Sequence, residues 1–331
     1  MTQKVLISGG AGFIGLHLAN KLLDEGYQVH LIDNFSRAVV DDDFEATLKR
    51  NNVSFSNLDL LDLDAVLSLE NDFFVIFHLA AIVGVRHVLK RPYSVMYDNI
   101  RMLANIIELA HRQKDFSRLL FALTSEVYAG TLNNFDMVFP TPESTPLALT
   151  NLSYPRTSYM LSKIYGEALC QQCGIPFTLF RPHNIYGPRM GMAHVIPEQL
   201  KKAYQLNDGD SIEVFSPNHT RCFCFIDDAT EMLWRMMEKE ECERQTLNLG
   251  SENPEIKIKE LAELCFSVVG KKLSIDLKPA SSGSPVRRQP NMSLTHRLTG
   301  FESQINLKDG ITITYEWYRK NVFKGTSVTA K

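Results

Sequence analysis

Tyr159 and Lys163 stand four residues apart in the segment YMLSK. On an α-helix that spacing puts both side chains on one face. A phenol with a free pKa of about 10 is a poor base at neutral pH, but a neighbouring ammonium favours its phenolate. The pair is therefore a candidate for drawing a proton from a substrate hydroxyl. On an arbitrary helix the same spacing is more often a surface contact, so its meaning rests on the rest of the chain. Thr124, with Tyr128 four residues later, follows the apolar run Leu119 to Leu123. If that run is a parallel strand, its end opens at a ligand crevice. The Thr124 hydroxyl could then bond the same substrate oxygen as Tyr159.

Gly9, Gly12 and Gly15 form a GxxGxxG between the apolar run Lys4 to Ser8 and a segment with apolar residues at helical spacing. A turn of this kind lets the backbone approach a pyrophosphate closely. The helix that follows offers the partial positive charge of its N-terminus. Asp33, closing the second apolar run, can accept both ribose hydroxyls of a dinucleotide, and its charge opposes a 2′-phosphate. NAD is thereby expected over NADP, a preference that nearby Arg37 could soften. A tight turn without a ligand is the bland alternative. Asp59 can accept from an adenine amino group, or simply cap a helix. With a nicotinamide on the same chain, its positive ring adds to the pull of Lys163 on the Tyr159 phenol.

These residues need elements to hold them. Lys4 to Ser8, Gln28 to Ile32, Val53 to Ser56, Phe73 to Phe77 and Leu119 to Leu123 read as strands, with helices near Asp62 to Leu69 and Ser94 to Arg112 between them. Strands alternating with helices mean βαβ units, a parallel sheet and helices on both of its faces. Gly26 closes the first helix. Ser158 to Gln172 reads as a long helix, Pro176 to Arg181 as a strand, and Val195 to Tyr204, Asp227 to Glu238 and Ile258 to Val269 as further helices. Pro140 to Pro155 reads as an extended loop. The expected class is α/β: a doubly wound parallel sheet of Rossmann type over residues 1–187, then a smaller C-terminal α/β substrate-binding lobe over 188–331. The boundary is soft, because the chain is expected to return to the sheet.

The 331 residues carry a net charge of −3, so nothing basic suggests a nucleic-acid partner. The N-terminus lacks a signal-peptide layout. The longest apolar stretch, Phe73 to Val85, is too short to cross a membrane. Cytoplasmic residence is the expectation. The six cysteines do not read as a disulfide framework, and the Cys170–Cys173 pair falls at a helix end with no second pair at zinc spacing. Reduced thiols and no bound metal are expected.

The motifs taken together resemble the extended short-chain dehydrogenase/reductase family, in its nucleotide-sugar epimerase, dehydratase and decarboxylase branch. They are GGAGFIG at Gly9 to Gly15, Asp33-Asn34, HLAA at His78 to Ala81, TSEVY at Thr124 to Tyr128, YMLSK, and RPHNIYGPR at Arg181 to Arg189. The likeness runs from Lys4 to Tyr318. It implies NAD that is reduced and reoxidised within one turnover, transient oxidation at sugar C4, a nucleoside-diphosphate sugar as substrate, and a homodimer built on two helices per subunit. It places the catalytic roles on Thr124, Tyr159 and Lys163. Cofactor contacts fall on Gly9, Gly12, Phe13, Ile14, Gly15, Asp33, Asn34, Asp59, Leu60, Leu79, Ala80, Ala81, Asn99, Tyr159 and Lys163. Asn184, Arg221 and Arg288 match the residues that grip the substrate diphosphate, for which arginine's planar fork is suited. Each arginine alone would be an ordinary surface charge. Cys222 and Asn291 depart from the family's usual aspartates.

Glu126 decides between reactions. The simple 4-epimerases of the branch often carry a small residue there, whereas dehydratases and uronate decarboxylases carry a glutamate. Beside a 4-keto sugar a carboxylate can remove the C5 proton, or can sit near a departing carboxylate. Ser125 stands where 4,6-dehydratases often carry an aspartate. The loop Ala81 to Arg86 resembles that of several 4-epimerases. His183 replaces the commoner aromatic, and packing is the expected role for it over substrate contact. Epimerisation, needing fewest groups, ranks slightly ahead of decarboxylation or dehydration. A dehydrogenase with net cofactor turnover and a non-catalytic NAD sensor are the readings from other classes.

Overall fold

The computed structural model describes residues 2–280 and 285–324, and only the backbone of Val85 and Arg86. The first half alternates as expected: β1 (Lys4–Ser8), α1 (Phe13–Asp24), β2 (Gln28–Asp33), α2 (Asp42–Leu48), β3 (Val53–Asn57), α3 (Leu63–Leu67), β4 (Phe73–His78), α4 (Val85–Lys90), α5 (Pro92–His111) and β5 (Arg118–Ala122). A 3-10 turn at Ser125–Tyr128 leads into α6 (Ala129–Asn134). A loop then precedes α7 (Thr157–Gln172) and β6 (Phe177–Pro182).

Gly26 sits at φ 88° just past α1, and Tyr27 N–H donates to Leu22 O at 3.0 Å, so the chain turns out of the helix where only glycine does so without strain. Pro92 opens α5, where its missing N–H costs no helical bond.

The second half supplies β7 (Ile185–Tyr186), α8 (Val195–Gln205), β8 (Ser211–Phe215), β9 (Thr220–Arg221), β10 (Cys224–Phe225), α9 (Ile226–Glu238), β11 (Thr246–Leu249), β12 (Ile256–Lys257), α10 (Ile258–Val269), β13 (Ser274–Lys278), β14 (Arg287–Arg288), α11 (Ser293–Thr299) and α12 (Leu307–Tyr318). The main sheet has seven strands in the order β11-β6-β5-β4-β1-β2-β3. All its pairings are parallel. Strand order turns back on itself at β1, which places the cofactor crevice between β1 and β4. The seventh strand comes from residues 246–249, beyond the sheet's first pass.

Two apolar layers flank the sheet. One joins α1, α9 and β11 through residues such as Leu18, Leu22, Met232, Met236 and Leu247. The other joins α5 and the far face of the strands through Ile106, Leu103, Phe121 and Phe177. A third cluster, with Tyr186, Leu200, Ile212, Phe225 and Ile311, is the core of the second lobe. That lobe carries a small sheet ordered β12-β9-β14, which brings residues from three distant stretches to one place.

Candidate functional site

The glycine turn is built by close packing. Gly9 has φ 73°, and a Cβ on it would lie 2.9 Å from Ala80 N. A Cβ on Gly15 would meet Gly9 O at 2.2 Å, so α1 can lie this close to the turn only with glycine there. Gly12 is the N-cap of α1 with no side-chain cap. A Cβ there would have one neighbour, Gly9 O at 3.1 Å. A diphosphate is what such an uncapped, side-chain-free helix N-terminus is shaped to receive. Phe13 and Ile14 open the helix behind it.

Asp33 ends β2. Its two oxygens accept from Ala11 N at 3.2 Å and Phe35 N at 2.9 Å, which fixes the carboxylate beside the turn. Burial holds its pKa above the ordinary value despite those bonds. Asn34 is exposed and accepts from Ser36 N at 3.0 Å. Asp59 is exposed too and accepts from Leu61 N at 3.0 Å, a local turn bond. The neighbouring Leu60 is buried. Leu79, Ala80 and Ala81 follow β4, with Leu79 N–H on Ser8 O at 3.2 Å. His78 stays beneath them, buried and joined to Ser8 Oγ at 2.7 Å. Asn99 holds the next stretch in place. Its Oδ1 accepts from Ile82 N at 2.7 Å, and its Nδ2 donates to Ile82 O at 3.1 Å and Ser162 Oγ at 3.4 Å. The Ala81 to Arg86 loop is described as far as Gly84; the side chains of Val85 and Arg86 lie outside the described residues.

On α7, Tyr159 and Lys163 share one face, as the spacing requires. Lys163 is 2% exposed, and its Nζ donates to Ala122 O at 2.7 Å, 4.6 Å from the Phe121 ring centroid. Burial drags its pKa down to about 7. Burial pushes the Tyr159 phenol up to about 12, with Glu126 adding to the rise and a side-chain hydrogen bond with Thr124 and the charge of Arg37 opposing it. The phenol is therefore not primed by the protein alone. The positive ring of a nicotinamide beside it is the kind of charge that lowers such a group.

Thr124 caps the 3-10 turn by accepting from Glu126 N at 3.2 Å. That turn delivers Glu126, whose Oε1 accepts from the Arg288 guanidinium. The Glu126 side chain is 44% exposed. Burial works to raise its pKa, but Arg288, Arg156 and Arg221 together hold it below the ordinary carboxylate value. Arg288 and Arg221 are direct register partners in the parallel pair β14–β9. Arg221 is 8% exposed, and its guanidinium donates to Thr220 O and Pro285 O, both at 2.7 Å. Burial first, then Arg288, lowers the Arg221 pKa to about 10. Two like charges side by side are costly unless an anion joins them. Asn184 sits at φ 45°, and its Nδ2 donates to Cys222 O at 2.9 Å, tying the turn after β6 to the strand bearing Arg221.

The fold thus brings Thr124, Glu126, Tyr159, Arg221 and Arg288 together, with Lys163 one turn from Tyr159 on α7. Three features escaped the sequence reading. Arg156 lies within electrostatic reach of Glu126 and is three residues before Tyr159, a spacing that could have flagged it. Arg189 pairs with Asp41 at 2.8 Å and 3.0 Å and reaches Ala11 O at 3.4 Å, binding the second lobe to the glycine turn. Arg181 pairs with both oxygens of Glu167 on α7, at 2.9 and 3.0 Å, and donates to Tyr128 OH at 2.7 Å. His183 is 2% exposed, with Nε2 on Asn248 Oδ1 at 3.0 Å, and burial lowers its pKa to about 3. It is a packed, neutral histidine.

Among the described residues no cluster of three metal-ligating side chains occurs, and no helix is long and apolar enough to cross a membrane. All six cysteines are free; Cys173 Sγ donates to Cys170 O at 3.2 Å and no disulfide joins the two.

Comparison with known proteins adds independent findings. Residues 5–250 match the model of the NAD dependent epimerase/dehydratase family. The chain is 31% identical to a UDP-N-acetyl-alpha-D-glucosaminuronate decarboxylase of Bacillus cytotoxicus, over 97% of this chain and 99% of that protein. The UDP-glucose 4-epimerase of Thermotoga maritima, solved with UDP-glucose, superposes with a TM-score of 0.82 at 25% identity, covering 97% of this chain and all of that one. The UDP-glucuronic acid 4-epimerase of Bacillus cereus, solved with UDP-glucuronic acid and NAD, gives a TM-score of 0.82 at 24% identity over 96% and 99% of the two chains.

Proposed function

Because this chain belongs to the NAD dependent epimerase/dehydratase family and is an NAD-dependent enzyme, we propose that it decarboxylates a nucleoside-diphosphate uronate, most simply a UDP-uronate, through a transient 4-ketone. The observation that carries this reading is Glu126: an ionised carboxylate in the cleft, bound to Arg288 and electrostatically coupled to Tyr159. A 4-epimerase needs Thr124, Tyr159 and Lys163, and room for the ketone to turn. The Glu126 carboxylate is surplus to that chemistry. The sequence alone put epimerisation slightly ahead; the placement of Glu126 among three arginines moves the weight towards an acidic sugar. The likeness to a uronate decarboxylase supports the same reading.

NAD, held at the Gly9–Gly15 turn and Asp33, would supply the hydride acceptor for C4 and the hydride that restores it. Tyr159 accepts the O4 proton, while Thr124 bonds the same oxygen and Lys163 supports the phenolate. The 4-keto uronate is a β-keto acid. Its C5–C6 bond breaks, carbon dioxide leaves, and the electron pair enters the C4–C5 enolate, whose oxygen faces Thr124 and Tyr159. Glu126 presents a like charge to the substrate carboxylate, which raises that carboxylate relative to the uncharged carbon dioxide it becomes. A solvent proton adds at C5, and Tyr159 returns its proton to O4. Arg221 and Arg288 hold the diphosphate, with Asn184 fixing the strand beneath them.

We assign the working form to a homodimer. Tyr93 and Tyr97 on α5 are 70% and 46% exposed and stacked 5.6 Å apart, and Tyr165 on the packed neighbour α7 is 50% exposed. Tyrosines of this kind are enriched where surfaces meet. The free thiols suit the cytoplasm.

The test is incubation of the holoenzyme with UDP-glucuronate and its 2-acetamido counterpart in deuterated water. Loss of carbon dioxide with one deuterium gained at C5 is the expected result. A stereoisomer of unchanged mass would establish epimerisation in its place. Steady NADH release would mark a dehydrogenase.

A further inference from the structure

We propose that Arg156 grips the C6 carboxylate of the substrate and so selects a nucleoside-diphosphate uronate over the neutral hexose. The inference rests on the uronate reading and extends it to a residue that the motifs do not assign.

Arg156 is the N-cap residue of α7, with backbone angles already in the helical region, φ −63° and ψ −26°. Residues three and four apart on a helix lie on one face. Arg156, Tyr159 and Lys163 therefore form one row, and Tyr159 and Lys163 face the cleft. Arg156 stands one turn nearer the helix start, at its exposed rim. Its charge is felt by Glu126 from that position.

The substrate's geometry matches this row. Tyr159 meets O4. The carboxylate hangs from C5, the next ring carbon, so it lies within ~5 Å of O4, which is about the rise of one helical turn. A group one turn from Tyr159 is placed to reach it. The proposed function gives the other two guanidiniums to the diphosphate. Arg221 and Arg288 are register partners on β9 and β14, two adjacent arginines of the kind a diphosphate attracts. The third arginine comes from a different element, beside the sugar. A nucleoside-diphosphate hexose has only the diphosphate to offer three arginines; a uronate supplies the third anionic group. Arginine suits this because its fork bonds both oxygens of a carboxylate at once.

The rival explanation is that Arg156 serves only to keep Glu126 ionised. The two differ in what loss of Arg156 does to the uronate: losing a grip weakens its binding, whereas a less ionised Glu126 repels it less. Calorimetry on the NAD-loaded Tyr159→Phe protein, which binds without turnover, would compare UDP-glucuronate, UDP-glucose and UDP. Arg156→Met is expected to weaken UDP-glucuronate by about 10- to 100-fold and to leave UDP-glucose and UDP within about twofold. Arg156→Lys, a point charge without the fork, recovers part of the loss. Equal weakening of all three ligands, or unchanged uronate binding, overturns the proposal; so does a parent protein that binds UDP-glucose as tightly as UDP-glucuronate. If Arg156→Met loses uronate binding selectively while the active enzyme releases no carbon dioxide, the decarboxylation reading fails and this assignment stands.

Discussion

At the scale of single residues, the cleft separates two tasks. On the proposed reading, Tyr159, Thr124 and Lys163 handle the proton at O4, and Glu126 with Arg156 handles the acidic end of the sugar. Substitution should pull these apart. Tyr159→Phe removes the group that takes the O4 proton, and turnover should fall by about three orders of magnitude or more, with UDP-glucuronate affinity retained in calorimetry. Glu126→Gln keeps shape but drops the charge. The expected outcome is enzyme-bound NADH that forms at near-normal rate, seen at 340 nm, while carbon dioxide release slows by about 100-fold. Parallel loss of both signals would place Glu126 in the oxidation step and sink its separate role. Residue types and spacing pointed to Tyr159, Lys163 and Thr124, because i,i+4 spacing and a strand end each fix a direction, and the family resemblance pointed to Glu126; the fold sets Thr124, Glu126 and Tyr159 near one another. They did not reveal that Glu126 is salt-bridged to Arg288, 162 residues away. No local pattern encodes a partner at that separation.

At the scale of elements, the strands of the first half were legible because buried parallel strands are unbroken apolar runs. β1 falls on Lys4–Ser8 and α10 on Ile258–Val269, as read. The two-residue strands β9 and β14 were not legible, since two residues carry no periodicity. They form because Arg287–Arg288 pairs in register with Thr220–Arg221, a long-range fact. The glycine turn is the element on which cofactor retention depends most directly. Gly15→Ala adds one methyl group, and its Cβ would sit 2.2 Å from Gly9 O, a backbone atom that cannot swing aside. α1 must then move off the turn. The protein should purify without NAD, read from its absorbance and from mass spectrometry of the heat-released nucleotide. Loss of stability of the order of 1–3 kcal/mol is expected for overpacking of this kind. A Gly15→Ala protein that retained NAD at wild-type occupancy would show that the turn tolerates far more than its packing suggests.

At the scale of the whole molecule, two buried histidines tie stability to pH. His78 under the cofactor turn and His183 under the sugar-binding lobe are each lowered to about 3, by burial first in both cases. Unfolded, a histidine titrates near 6.5. Between about pH 6.5 and 3 the unfolded chain binds a proton that the folded chain refuses, so the unfolded state gains as pH falls. Stability should therefore be full above about 6.5 and decline through this window, with a slope of up to about 1.4 kcal/mol per pH unit for each histidine. Denaturant melts at stepped pH would measure it. His183→Phe, which restores the aromatic common at this position in the resembling family, should flatten the slope while keeping the fold, because a ring still fills the space beside Tyr128; His78 and the buried His30, lowered to about 4, keep the rest of it. Glu126 runs the opposite way in cause but not in sign. Its lowered carboxylate is stabilising above the ordinary carboxylate range, and that contribution disappears as pH falls through its folded value. An unchanged slope in His183→Phe would mean that His183 already titrates in the native protein. Its ring nitrogen would then be reached by water, contrary to a side chain that is 2% exposed. The pH slope is thus a direct reading of how completely the second lobe seals the sheet end on which the chemistry stands.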